Sequence, residues 1–295
     1  MKAVPPTCKH EGFPAENFMT RKLFCEISPL TYAISLWKEN IIHDVHDLLH
    51  SIRYAETRVK EPLPYVIKSH SSTIVRKLTG VDAKLQINKR TNLKLASSTI
   101  TGLIIHPGEV FSFWHQIGKP VAEKGYLEGL IITSSKVSSA VGGGLCQLAN
   151  LIHWLVLNSP LTVTELHHHS DALFPDAGRR VPFGTGTSVS WRNLDYRFKN
   201  ETDQPVQIVI WQDDETLYGE LRSLHPFDHT WSIQEKDAGF VQEDGVFYRV
   251  SKIYQLCYGK DGNIIDQKLI LNNHSRVLYD YDLIPQDQII TNDES

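Results

Sequence analysis

Cysteine is scarce in this chain of 295 residues, and the four present, Cys8, Cys25, Cys146 and Cys257, stand far apart with no CxxC pair. That spacing excludes a zinc ribbon and a dithiol redox motif, and it argues against a disulfide framework. Long apolar runs are missing too. The best candidate, LANLIHWLVL, is interrupted by His153 and falls short of the roughly 18 residues that a membrane helix needs. The opening MKAVPPTCKHEGFP places prolines and a glycine where a signal peptide carries its apolar region. There is no block of like charge, and net charge is only -4, so nucleic acid is not an expected partner. Internal repeats and low-complexity segments are absent. These absences together lead us to expect a soluble, cytoplasmic protein with no membrane span and no cofactor.

What is present is the composition of a folded chain, 41% hydrophobic and 22% charged. The expected class is α+β: mixed, mostly antiparallel strands around a buried central helix. Residues 1–60 read as an N-terminal helical segment, residues 61–226 as the core domain and residues 227–295 as a β-rich extension. In the first of these, Leu36, Ile41, Val45, Leu48, Leu49 and Ile52 recur in a helical rhythm, and His43, His46 and His50 fall on it as well. LPYVIKSHSSTIVRK alternates like a strand. Asn88 to Thr101 reads as a helix closed by Gly102, and EGLIITSSKVSSAV as a hairpin. TSVSW, LDYRFKN, QPVQIVIW and TLYGELRS read as antiparallel strands, and KDGN marks a later hairpin turn.

The stretch that concentrates chemistry is AVGGGLCQLANLIHWLVLN, from Ala140 to Asn158. Gly142, Gly143 and Gly144 let backbone or substrate approach closely, and Cys146 falls in the first turn of the helix behind them. Unpaired amides and the helix dipole there favour a thiolate, which predicts a thiol that titrates low and reacts selectively. Gln147 adds an amide able to donate to a developing oxyanion. A nucleophilic thiol needs a base, and His167, His168 and His169 follow on the next strand, where His167 and His169 share one face and His168 points away. Asp195, on a later strand, is the candidate to orient the imidazole. Zinc held by Cys146 and His169, with His167, is a rival reading of the same residues.

These residues carry a resemblance. NLKLASSTITGLIIHPGEVFSFW, KGYLEGL, GGGLCQLANLIHWLVLNSPLTVTEL, HHHSDALFPDAGRR and PFGTGTSVSWRNLDYRFKNETDQP together resemble the VanW-like family. The resemblance implies an accessory part in glycopeptide (vancomycin) resistance or cell-wall metabolism. Many family members join this domain to peptidoglycan-binding modules. The family motif falls here on Gly142, Gly143, Gly144, Cys146 and Gln147, its later histidine on His169, and the aspartate of its following strand on Asp195. Two positions depart from it, Leu166 where relatives often have arginine and Arg180 where many have an acid.

Two function classes follow. In the first, a cysteine-dependent hydrolase or acyl transferase acts on a peptidoglycan-derived peptide: Cys146 attacks, His169 shuttles the proton, Asp195 orients it, Gln147 holds the oxyanion, and Arg179 or Arg180 grips a substrate carboxylate. In the second, a non-catalytic module binds a cell-wall peptide, its precursor or a partner protein in a groove formed by the glycines, Trp114 and FPDAGRR, with the cysteine only packed.

Overall fold

The computed structural model describes residues 51–75, 83–133, 136–168, 171–175 and 180–290, with scattered positions between 27 and 45. Cys8, Cys25, His43, His46, His50, His169 and Arg179 lie outside the described residues. Among those described the chain is mostly β, with antiparallel sheets and few helices, an α+β arrangement.

One sheet has the order β1-β10-β9-β2, built from Tyr65–Thr73 (β1), Leu103–Ile105 (β2), Val206–Gln212 (β9) and Thr216–Ser223 (β10), all antiparallel. Burial in β10 alternates residue by residue, turning Leu217, Gly219 and Leu221 inward. Two helices cover this sheet, α1 (Ala83–Ile100) against β9 and α3 (Cys146–Leu157) against β1 and β10. The seat of α3 is close: a Cβ on Gly219 would come within 2.9 Å of Leu151 Cδ2. Leu148, Leu151, Ile152 and Leu155 of α3 meet Ile208, Leu217 and Leu221 of the sheet in one apolar core.

A smaller sheet, β3-β8-β6 (Val110–Ser112, Arg197–Lys199 and Thr162–Glu165), closes one side of that core, with Phe111, Phe198 and Tyr196 fully buried. The short helix α2 (Phe113–Ile117) follows β3 directly. The expected hairpin is present as β4 (Glu128–Thr133) paired with β5 (Lys136–Val141). The long strands β11 (Thr230–Glu243), β12 (Val246–Tyr258) and β13 (Ile264–Val277) make the C-terminal sheet. Its last member, β7 (Asp171–Ala172), comes from earlier in the chain and pairs with β13 in parallel. A second, small core of Phe183, Phe240, Val277 and Ile284 lies there, and KDGN forms the turn between β12 and β13 with Gly262 at φ 78°.

TSVSW differs from its reading as a strand. Apart from an isolated bridge between Ser190 and Leu194 it forms no ladder. Its neighbourhood bonds elsewhere: Thr187 N donates to the side chain of Asn150 at 2.6 Å, and Ser188 N donates to His167 O at 2.7 Å. The segment thus runs as a filler between α3 and the end of β6.

Candidate functional site

The start of α3 is fixed by the glycines and by one buried asparagine. Gly142 and Gly144 have φ of 80° and 95°, a region that side-chain-bearing residues avoid. A Cβ on Gly143 would overlap the backbone of Gly129, and one on Gly144 would overlap the stem of Lys89. Asn92 of α1, fully buried, donates to Leu127 O and Gly143 O at 2.9 Å each, and its Oδ1 accepts from Leu127 N at 2.8 Å. The glycines therefore serve a close backbone crossing beneath the β4–β5 hairpin.

Cys146 is the first residue of α3, and its Sγ lies 3.7 Å from Val189 O, to which it donates. Burial raises the thiol above its ordinary range; the bond to Val189 O and a backbone contact of its own act the other way and are smaller. Burial thus works against the low-titrating thiol expected at a helix start. The nearby amides have partners as well. Gln147 N donates to Gly144 O at 3.1 Å, and Leu148 N and Ala149 N both donate to Leu145 O.

Gln147 turns to β1, where its amide donates to Ser72 Oγ at 2.8 Å and Thr73 O at 2.9 Å. One turn on, Asn150 accepts from Thr187 N, and on the next turn Trp154 packs against His70 of β1 at 5.7 Å between rings. The stripe Cys146, Asn150, Trp154 is thus flanked by residues 187–189 on one side and β1 on the other. Burial, with Arg180 and Lys68 nearby, pushes His70 down to about 4, so its imidazole is neutral at pH 7.

His167 and His168 lie past the end of β6 rather than on the expected strand, and they turn to different partners. His167 shares a face with Glu165, whose Oε1 lies 2.9 Å from its Nε2. His168 points the other way: its Nδ1 meets Gly184 O at 3.1 Å, and it lies close enough to His153 of α3 to lower that residue's pKa. His153 is buried against the Tyr196 hydroxyl at 3.1 Å, and burial takes it down to about 3.

Asp195 works for the framework. Its Oδ1 accepts from Trp114 N at 3.1 Å and Tyr196 N at 2.8 Å, and its Oδ2 from Ser112 Oγ at 2.5 Å and Arg197 Nε at 2.8 Å. Arg197 also reaches Glu165 Oε2 at 3.2 Å and lies over the Tyr54 ring. Trp114 is buried, its indole N–H donating to Leu194 O at 2.8 Å and its ring edge-on to Phe113 and Trp191. It belongs to the core. Among the described residues no three His, Cys, Asp or Glu side chains come together to hold a metal ion.

Arg180 donates through Nη2 to Ser71 O at 2.8 Å, one residue before the Ser72 that Gln147 holds. It borders a cavity of about 320 Å³ shared with Phe183, Glu235 of β11, Arg249 of β12 and Gln288. Sequence reasoning missed the roles of Asn92, Glu165 and Arg197. The alternation that pairs Glu165 with His167 was a readable signal, whereas Asn92 gave none on an otherwise polar helix.

Residues 88–222 match the family described as "VanW like protein". Over 228 residues, 77% of this chain and 82% of the relative, the chain is 33% identical to the vancomycin B-type resistance protein VanW of Enterococcus faecalis. It is 32% identical over 117 residues, 40% of this chain and 37% of the relative, to the uncharacterized protein YoaR of Bacillus subtilis. No solved structure matches it. With a third of the aligned residues identical across most of both lengths, the chain belongs to the VanW-like family.

Proposed function

We propose that this protein serves vancomycin resistance or cell-wall metabolism as a binding module for a peptidoglycan-related peptide or precursor, with Cys146 a packed thiol. The link to resistance rests on the name of the E. faecalis relative. The choice of binding over catalysis rests on the occupation of the groups that a thiol nucleophile would use. The sulfur is desolvated and donates to Val189 O, the Gln147 amide ties α3 to β1, and all four bonds to Asp195 hold α2, Tyr196 and Arg197. An attacking thiol has to be a thiolate with a base in reach, and burial disfavours the thiolate.

The test is Cys146→Ser in a host whose vancomycin resistance depends on this protein. A serine hydroxyl keeps a donor for Val189 O and loses the thiolate chemistry. The inhibitory vancomycin concentration is expected to stay within about twofold of wild type, since a lost nucleophile costs orders of magnitude in rate. Collapse of resistance with the variant folded and at normal abundance favours the cysteine-dependent hydrolase or transferase.

A further inference from the structure

We propose that the cavity between Arg180 and the C-terminal sheet binds a short peptide by its C-terminal carboxylate, an inference that rests on the binding-module reading and names its site and ligand class. The depression is open and mostly polar, with about 320 Å³ of space, room for the end of a short peptide. Its charges are unevenly engaged. Arg249 is held in place: its Nη1 donates to Val250 O, its Nη2 meets Glu235 Oε1 at 3.1 Å, and its guanidinium lies over the Phe183 and Phe240 rings. Arg249 and Glu235 therefore largely cancel and stiffen the wall.

Arg180 adds a guanidinium to the rim. Its side chain gives one N–H to Ser71 O. A guanidinium has five donors in a planar fork, so the remaining ones suit a carboxylate taken bidentately. On the opposite wall Glu235 keeps its Oε2, and the Gln288 amide has no hydrogen bond among the described residues. An acceptor and an amide placed there match the N–H and C=O of a peptide bond next to the carboxylate. The ligand that fits is a peptide end, acid at one side and amide at the other. A bare anion would leave Glu235 facing it unfavourably.

The experiment is calorimetric titration of the full chain with N-acetyl-alanyl-alanine, in L,L and D,D forms, and with the corresponding C-terminal amides. One form of the free acid is expected to bind at least about tenfold more tightly than its amide, the worth of one charge-assisted contact. Arg180→Ala should remove that preference, Arg180→Lys should restore only part of it, and inorganic phosphate should not displace the peptide. Equal binding of acid and amide, displacement by phosphate, or no binding of any peptide overturns the proposal. The acid-to-amide comparison is made on unaltered protein, so it stands even where a variant folds poorly. If Cys146→Ser keeps resistance while no peptide binds, the site falls and the binding-module reading survives. If Cys146→Ser loses resistance, that reading has fallen first.

Discussion

The chain between β7 and β8 passes through two regions whose polar side chains are used in opposite ways. Near its far end, Asp195 has its bonds filled by α2, Tyr196 and Arg197, while Asn150 of α3 accepts from Thr187 and Gln147 donates to β1. Near its beginning, Arg180, Glu235 and Gln288 border an open cavity with only part of their bonding capacity engaged. A buried polar group without a partner is costly, so the residues that stand out as chemistry in the core are the ones the fold most needs as framework. Recognition belongs where polar groups meet solvent in a concave place, at the junction with the C-terminal sheet.

The sharpest way to break that contrast is to remove Asp195. Asp195→Ala takes away the N-terminal support of α2, the acceptor for Tyr196 N, and one of two carboxylates beside the half-buried Arg197. Breaking a buried ion pair from one side costs about 3–5 kcal/mol, and a lost helix cap adds to that. We expect a loss of at least about 3 kcal/mol in urea unfolding. A loss under about 1 kcal/mol would mean that the carboxylate is not needed for folding and is kept for another task.

A second way is to acidify the core. His153 titrates at about 3 in the fold against its ordinary 6.5, because burial beside Tyr196 and near His168 disfavours the imidazolium. The unfolded chain therefore takes up a proton that the folded chain refuses. Stability from this group is intact above the ordinary value and is lost as pH falls from there toward 3, with no effect near neutrality. Each unit is worth about 1.4 kcal/mol, so roughly 2–3 kcal/mol should be gone two units below the ordinary value. His153→Gln, whose amide can still meet the Tyr196 hydroxyl, should flatten that slope. An unchanged slope would assign the acid sensitivity to other groups.

Local pattern carried most of the fold. The β4–β5 hairpin, the helix ending at Ile100, the strands β9 and β10 and the turn at Gly262 follow from alternation, helical spacing and turn chemistry. The TSVSW segment did not, because its partners are an asparagine side chain on α3 and a loop carbonyl, which no local pattern encodes. The candidate site was legible as residue types and illegible as roles. Motif spacing marked Gly143, Gln147 and Asp195, yet whether each faces a ligand or a neighbouring backbone depends on long-range contacts such as Gly143 with Gly129 and Gln147 with Ser72. The cavity at Arg180 draws its walls from β11, β12 and the chain near Gln288, and no sequence spacing joins these.

The smallest expected effect is the one that tests the thiol itself. Cys146 donates weakly to Val189 O from a desolvated position, and its thiol is raised above the ordinary range. The thiol of Cys257 is raised too, by burial and by the nearby Asp266 carboxylate, and it sits on β12 of the C-terminal sheet. Alkylation requires the thiolate and a path to the sulfur. In native protein at neutral pH, iodoacetamide followed by peptide mapping should therefore modify Cys146 more slowly than Cys257, and mild urea should bring the two rates together. Cys146→Ser should cost no more than about 1 kcal/mol, because the hydroxyl replaces one weak donor by a better one at similar volume. Selective fast labelling of Cys146 in the folded protein would reverse the contrast between framework and cavity, by showing that the start of α3 holds a reactive group after all.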